Sequence, residues 1–393
     1  MKRMFLWEKG FIPGLFFGVL VLLLSLSTPS WAKDILIGLD GPLSGPAASF
    51  GLDAINAVNI AVDEINAAGG IKGDKLKVIA KDSMQDPTKA RANAEELVYK
   101  DGVVAFFAST LTTNNLASLE VTTKGKVPHI IAGTTSDVVC PAAPGACNPY
   151  VFRLPILNSW QAEKLAIYAV KNLKAKRIAL MYDSTGYGLD GKKNLEASLQ
   201  KLGEKTAISE TFNMSDVDFT PQLQRIRDAK ADAIITWTLG VQVAHIVQSM
   251  KRLGLNIPVL GSEAITEAGF RKLAGPAAEG VYIADRMASA YDSRDPKVQA
   301  FVKKWRERTK MDEKLAVPSW SVTYYDAVYW LAEALKKVGL DREKLKDALE
   351  NSSYTGITGI QYTFTPQKHN GRSGPEAVYI VQVKDGALVT PKQ

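Results

Sequence analysis

Cysteine and histidine are scarce in this sequence. Its 393 residues include two cysteines and three histidines, which are too few for most zinc or iron–sulfur sites. A large excess of one charge sign is also lacking, because 48 Lys and Arg against 41 Asp and Glu leave a net charge of only +7. No tract consists of Lys and Arg alone, so we do not expect a nucleic-acid partner. The composition predicts a protein without a metal and without a cofactor.

Long hydrophobic runs are absent except at the N-terminus. Basic residues precede the apolar run Phe11–Leu26, and Ser30-Trp31-Ala32 follows it with small residues on either side of the tryptophan. This pattern predicts a signal peptide over residues 1–32, cleaved after Ala32, and hence a periplasmic protein. The alternative is an uncleaved anchor, but Pro13-Gly14 shortens the useful helix, and crossing a bilayer takes about 20 apolar residues.

The two cysteines are close together in sequence. Cys140 and Cys147 bracket a turn-rich stretch of Pro, Ala and Gly, and an oxidising compartment favours a disulfide between them. Closing so short a loop stabilises the protein by about 2–3 kcal/mol. A catalytic cysteine is the weaker interpretation, since no nearby group is placed to lower a thiol pKa.

Beyond residue 33, short β-rich runs alternate with amphipathic helical segments, and the alternation starts again near residue 160. In the predicted helix Phe50–Ala67, for example, Ile55, Val58 and Val62 fall on one face. Strands separated by helices indicate right-handed βαβ crossovers and parallel sheets covered on both faces. We therefore predict an α/β protein with two doubly wound parallel-sheet lobes.

The loops that follow the predicted strands are rich in Gly, Ser, Thr and Asn. Ligands of open parallel sheets bind outside the carboxyl ends of the strands, and hydroxyls with free backbone N–H groups at helix starts suit a carboxylate. Any one of these hydroxyl residues is more often a helix cap than a ligand contact. The pattern favours a binding cleft without assigning single residues to it.

One glycine motif imitates a dinucleotide site. Residues 186–191 match G-x-G-x-x-G between a predicted strand and a helix. We reject that interpretation because Asp183-Ser184-Thr185 separate the strand from the first glycine, and because a signal peptide sends the protein away from cytoplasmic NAD.

Residues for catalysis are not evident. His129 falls in or beside a strand, His245 in a helix and His369 in a polar turn, so no Ser-His-Asp order stands out. Glu263 follows a strand and is the most suggestive carboxylate, either as the partner of a ligand cation or as an exposed loop residue. We predict that the protein is not an enzyme.

Three stretches of sequence together resemble the leucine/isoleucine/valine-binding protein family. They are residues 37–46 (IGLDGPLSGP), residues 63–73 (DEINAAGGIKG), and Asp82 with Asp86-Pro87. The members of this family are periplasmic substrate-binding subunits of ABC importers with a two-lobe type I fold. The resemblance implies a three-strand hinge, an N-terminal lobe over 33–156 and 288–364, and a C-terminal lobe over 157–287 and 365–393.

The resemblance also implies a set of ligand contacts. In this family, hydroxyls and backbone N–H groups of the first lobe hold a carboxylate, and an acidic residue of the second lobe reaches an ammonium. The positions that match in the first lobe are Phe50, Thr112 or Thr113, Gly133 and Thr135. Those in the second lobe are Tyr187 and Glu263. Leu239 stands in place of an aromatic contact, and Trp237 stands where small residues are usual.

The function that follows is a solute-binding subunit that closes on a small carboxylate-bearing ligand, a branched-chain or other apolar amino acid, and delivers it to an ABC permease in the inner membrane. Phe50, Trp237 and Trp320 would cover the apolar part. The alternative is a binder of aromatic carboxylates or amides, in which Glu263 meets a hydroxyl or an amide. A secreted hydrolase or a sensor domain ranks lower.

Overall fold

The computed structural model describes residue 1 and residues 33–287, 295–311 and 317–391. Apart from residue 1, the predicted signal peptide lies outside the described residues. The predicted passage between the lobes at 287/288 lies at the end of a described range, and residue 288 is outside it. Within the described ranges, no helix combines the length and the apolar character that a membrane crossing requires.

Strands and helices alternate along most of the chain. In order they are β1 (Asp34–Gly41), α1 (Ala48–Ala67), β2 (Lys75–Asp82), α2 (Pro87–Glu95), β3 (Ala105–Phe107), α3 (Thr112–Lys124), β4 (His129–Ile131), β5 (Val151–Arg153), α4 (Asn158–Ile167), β6 (Ile178–Asp183), α5 (Gly186–Lys201), β7 (Thr206–Phe212), α6 (Thr220–Asp228), β8 (Ala233–Trp237), α7 (Gly240–Leu253), β9 (Val259–Gly261), α8 (Ala268–Ala274), β10 (Tyr282–Asp285), α9 (Pro296–Thr309), α10 (Ser319–Val338), α11 (Arg342–Glu350), β11 (Ser353–Thr355), β12 (Gln361–Thr363), β13 (Tyr379–Lys384) and β14 (Ala387–Val389).

Local sequence explains where several helices begin. Asp86 caps α2 by accepting hydrogen bonds from the backbone N–H groups of Thr88 and Lys89, with Pro87 at the first helical position. Helix α1 begins two residues before the predicted start and buries Val58, Val62 and Ile65, as its spacing predicts.

The first lobe is built on a sheet of five parallel strands in the order β2-β1-β3-β4-β5. The late helices α9 and α10 return to pack on this sheet. Phe301, Trp305 and Trp330 belong to the same buried cluster as Ile37 of β1. Residues late in the sequence thus pack against the first sheet, and the division of the chain into lobes at the stated boundaries stays a prediction.

The second lobe is built on a seven-stranded sheet in the order β14-β13-β10-β9-β8-β6-β7. Five of its strands run parallel, but β13 pairs antiparallel with β10, and β14 pairs antiparallel with β13. Asp385 and Gly386 link β13 to β14 and both have positive φ, which is the geometry of a two-residue hairpin turn. This local turn adds an antiparallel edge to an otherwise parallel sheet.

One late strand, β12, joins neither large sheet. Its residues Gln361–Thr363 pair with Ser353–Thr355 in a separate antiparallel hairpin. The predicted disulfide between Cys140 and Cys147 is confirmed.

The two lobes are in contact across the cleft. A small buried cluster joins Ala47, Phe50 and Trp320 of the first lobe to Ala264 of the second. The structure thus shows the closed arrangement of the lobes.

Candidate ligand-binding site

A cavity of about 350 Å³ lies between the two lobes. Its walls are formed by the segments that follow β1, β2, β3 and β4 in the first lobe and β6, β7, β8 and β9 in the second, with Trp320 of α10 added. Because the strands of each lobe point their carboxyl ends at the cleft, the loop residues converge there.

Eight of the nine predicted contact residues line this cavity. They are Phe50, Thr112, Thr113, Gly133, Thr135, Tyr187, Leu239 and Glu263. The aromatic rings of Phe50 and Trp320 stack with their centroids 5.0 Å apart on the first-lobe side of the cavity, and their role as a cover for the ligand stays a prediction.

Trp237 does not lie with the other predicted residues. It is fully buried in the core of the second lobe and does not line the cavity. Gly191 of α5 leaves the space that its ring occupies, since a Cβ at that position would overlap the indole. The tryptophan instead packs behind Tyr187, with ring centroids 6.3 Å apart. We therefore correct its role from a ligand cover to a core residue.

The first-lobe wall offers hydrogen-bond donors for an anion. The first backbone N–H groups of a helix have no intrahelical acceptor. Helix α3 begins at Thr112 without a side-chain cap, so no capping side chain occupies its first N–H groups. The hydroxyls of Thr112 and Thr134 are 3.0 Å apart, and the hydroxyl of Thr135 donates to Asn158 Oδ1 at 2.7 Å. Positive helix ends of this kind favour a carboxylate.

Two cavity residues that the sequence analysis did not single out carry unused polar atoms. The Thr110 hydroxyl and both polar atoms of the Asn114 amide are buried without a hydrogen-bond partner among the described residues. The polar composition of the loop after β3 predicts that this loop faces a binding cleft. Only the tertiary structure shows that these two side chains lack hydrogen-bond partners.

The second-lobe wall presents Tyr187 and Glu263. The Tyr187 hydroxyl donates to Ser262 Oγ at 2.9 Å, and burial raises the pKa of this phenol, so it stays neutral. Asp183 also lines the wall, where its Oδ1 accepts from the backbone N–H and hydroxyl of Thr185. Burial raises the pKa of Asp183, and Thr185 opposes the rise.

Glu263 is already paired within the protein. Arg286, which follows β10, donates through Nε to Glu263 Oε2 at 2.5 Å and through its second terminal nitrogen to Oε1. The remaining donors of Arg286 reach the carbonyl oxygens of Ala132 and Gly133 and the hydroxyl of Thr323. All of these groups are buried.

Arg286 keeps its charge in this setting. Burial by itself lowers the pKa of Arg286, but the adjacent Glu263 carboxylate outweighs burial and the net shift is upward. Arg286 is not among the predicted contact residues, although an arginine directly after a buried strand, at a predicted hinge crossing, was a usable signal in the sequence.

Metal ligation finds no support in the part of the chain that the structure describes, which contains no group of three or more His, Cys, Asp or Glu side chains able to hold an ion.

Comparison with known proteins agrees with this geometry. Residues 34–387 match the family model described as periplasmic binding protein. The leucine-specific-binding protein of Salmonella typhimurium is 26% identical over 352 residues, covering 87% of this chain and 90% of that protein. An amino acid binding protein of Pseudomonas aeruginosa is 29% identical over 262 residues, covering 66% of this chain and 69% of that protein.

Solved structures show the same architecture. A type 1 periplasmic binding protein of Bordetella pertussis superposes with a TM-score of 0.84 at 26% identity, covering 91% of this chain and all of that one. The branched-chain amino acid transporter substrate binding protein of Streptococcus pneumoniae, solved with isoleucine, gives 0.79 at 25% identity, with 91% and 100% coverage. A solute binding protein of Rhodopseudomonas palustris, solved with benzoate, gives 0.79 at 21% identity, with 91% and 95% coverage. The predicted fold and family resemblance are thereby confirmed, and this chain belongs to the periplasmic binding protein family.

Proposed function

We propose that this chain is the periplasmic substrate-binding component of an ABC importer, which closes on a small carboxylate-bearing ligand and presents it to a permease in the inner membrane. The observation that carries the proposal is the cavity of about 350 Å³ with walls from both lobes. Relatives named for leucine and for amino acids make a branched-chain or other apolar amino acid the first candidate ligand.

The residues divide the work of binding. The uncapped start of α3 orients the carboxylate, and the stacked pair Phe50–Trp320 covers the apolar body together with Leu239. Since the ligand contacts both lobes only when they are closed, binding shifts the population toward the closed form. A micromolar dissociation constant, about −8 kcal/mol, is the expected scale.

A second candidate is an aromatic carboxylate or an amide. It is favoured by the Glu263–Arg286 pair, in which both carboxylate oxygens already accept from the guanidinium. An ammonium placed beside this pair meets a site with no net charge, so its desolvation is offset less than it would be by an unpaired carboxylate. The same fold holds benzoate in the Rhodopseudomonas palustris protein.

Matched ligands separate the two candidates. Isothermal titration calorimetry with L-leucine, 4-methylpentanoate, benzoate and benzamide compares one skeleton with and without an ammonium, and one ring as an acid and as an amide. Tight binding of leucine with loss of 4-methylpentanoate supports the amino acid, and the reverse order supports the acid. Failure of apolar acids, amides and amino acids alike would refute the proposal.

A matched pair of variants tests the site itself. Ala264 lines the cavity, so Ala264→Phe fills space that the ligand needs and is expected to weaken binding at least about tenfold, or about 1.4 kcal/mol. Ala146→Phe places the same side chain in the exposed disulfide loop and should leave affinity unchanged. Equal affinities of the two variants would contradict the assignment.

A further inference from the structure

A hydrogen bond between side chains crosses the cleft beside the cavity, outside the predicted contact set. The Ser49 hydroxyl of α1, in the first lobe, donates to Glu267 Oε2 of the second lobe at 2.7 Å. Ser49 precedes the cavity residue Phe50, and Glu267 comes three residues after the cavity residue Ala264. This contact can exist only while the lobes are together.

Glu267 is poorly placed for a negative charge. It is 1% exposed, and its Oε1 has no hydrogen-bond partner by the geometry of the described residues. Gly240, the first residue of α7, lies so close that a Cβ there would overlap Oε1. Among the residues that the structure describes, no cationic side chain is seen to lower the pKa of this carboxyl.

A second carboxyl faces it from the opposite lobe. Asp53 lies one turn after Ser49 on α1, and burial together with the charge of Glu267 raises its pKa, while the neighbouring Trp320 of α10 opposes the rise. The Ser49 hydroxyl and the nearby backbone N–H of Gly240 are uncharged, and both oppose the rise in the pKa of Glu267 that burial causes.

The nearby Glu263–Arg286 pair supplies no counter-charge to Glu267. Glu263 lies one turn before Glu267 and is itself neutralised by Arg286. Closing the lobes therefore places the buried Glu267 near Asp53, which is only partly exposed, and among the described residues no cation forms an ion pair with either carboxyl. Two carboxylates in such a place do not both stay ionised, because like charges and desolvation favour the protonated form of one of them.

We propose that closure of the cleft takes up one proton at the Glu267–Asp53 pair, so that this protein binds its solute more tightly at low pH than at high pH. In the open form the two side chains belong to separate lobes and each meets water. In the closed form a single proton removes their repulsion and leaves the Ser49–Glu267 hydrogen bond intact. The inference rests on the proposed function, closure around a ligand, and adds that proton binding also favours the closed form.

The size and sign of the effect follow from linkage. Burial raises the pKa of Glu267 to about 7 in the closed form, against an ordinary value of 4.5. The closed form thus binds more protons than the open form between these values, and its advantage is lost as the pH rises, by about tenfold per pH unit for one proton. We expect the dissociation constant to increase about tenfold or more from pH 5.5 to pH 8.

The test is calorimetric titration at pH 5.5, 6.5 and 8 with whichever of L-leucine or benzoate binds. Repeating the pH 6.5 titration in phosphate and in Tris buffer counts the protons taken up, and about one is expected. Glu267→Gln keeps an acceptor for Ser49 without the charge, so its affinity should be flat with pH and its proton uptake close to zero. Asp53→Asn should weaken the pH dependence. Glu307→Gln, on the exposed face of α9, is the matched control and should behave as the wild type.

Two results would overturn the proposal. One is a wild-type dissociation constant that does not change between pH 5.5 and pH 8. The other is an equal slope in the wild type and in Glu267→Gln. If neither ligand binds, the proposed function fails separately, and small-angle X-ray scattering of the ligand-free protein decides the matter. A radius of gyration that falls from pH 8 to pH 5.5 in the wild type alone supports the proton-linked closure, and an equal change in Glu267→Gln refutes it.

Discussion

The buried Glu263–Arg286 pair makes the most demanding prediction about stability. Arg286→Met removes the guanidinium and leaves the Glu263 carboxylate, which is 4% exposed, without its hydrogen-bonded counter-charge. The change also removes the donors that reach the carbonyl oxygens of Ala132 and Gly133 and the hydroxyl of Thr323. Every consequence is a cost to the folded state.

The magnitude can be worked from these contacts. Removing one partner of a buried ion pair costs about 3–5 kcal/mol, because the remaining charge stays desolvated. A buried carbonyl left without a donor adds about 1 kcal/mol or more. We therefore expect Arg286→Met to lower the free energy of unfolding by about 5 kcal/mol, a large fraction of the 5–15 kcal/mol typical of native proteins.

A double variant distinguishes the charge effect from lost packing. Arg286→Met combined with Glu263→Met replaces both charged groups by apolar side chains of similar volume, which is often close to neutral. The double variant should recover at least about 2 kcal/mol relative to Arg286→Met. Acidification to pH 5 should also narrow the deficit of the single variant, since protonation of Glu263 removes its charge.

Urea unfolding at pH 7.5, followed by circular dichroism, measures these differences through the midpoint and slope. Lys100→Met is the control, because it breaks an exposed pair with Glu96, and solvent screening of such a pair should leave the urea midpoint close to that of the wild type. The reasoning fails if Arg286→Met costs no more than Lys100→Met, or if adding Glu263→Met makes the protein still less stable.

Two further predictions concern buried positions that do not line the cavity. Gly191→Ala would place a Cβ within the ring of Trp237 and should lower the free energy of unfolding by about 3 kcal/mol, the upper part of the range for overpacked cores; a urea midpoint equal to that of the wild type would contradict the assigned packing. Burial raises the pKa of Asp326 to about 7, so the folded state holds a proton that the unfolded state releases near 3.8, and stability should fall as the pH rises from 4 to 7. Asp326→Asn keeps an acceptor for the Ile357 amide and should reduce that fall in thermal unfolding at pH 5 and pH 8; an unchanged pH profile would show that Asp326 is ionised in the folded protein.

Local signals in the sequence predicted most of the architecture. The 3.6-residue spacing of Val58 and Val62 marks the buried face of α1, and the acidic cap at Asp86 marks the start of α2. Such signals depend on neighbours within one or two turns, so they can be interpreted without knowing the fold. The antiparallel direction of β13 and the strand β14 were not predicted, because β14 has only three residues and the direction of this edge depends on a turn at Asp385.

The residues that line the candidate site could be predicted where the sequence shows the end of a strand. Thr112, Gly133 and Tyr187 line the cavity because each follows a strand whose carboxyl end points into the cleft. Trp237 was misplaced because it occupies the last position of β8, where a shift of one residue along a strand turns a side chain from one face to the other.

The sequence by itself determined the alternation of strands and helices, the two lobes and the polar loops that face a cleft, since these follow from local periodicity and from turn and cap residues. Only the tertiary structure decided which polar and charged side chains, distant in sequence, pair with each other. Arg286 meets Glu263 across 23 residues of sequence, and Ser49 meets Glu267 across 218. The first of these pairs forms within the second lobe and the other forms between the lobes. The energies of both depend on burial and distance in three dimensions, which no local pattern encodes.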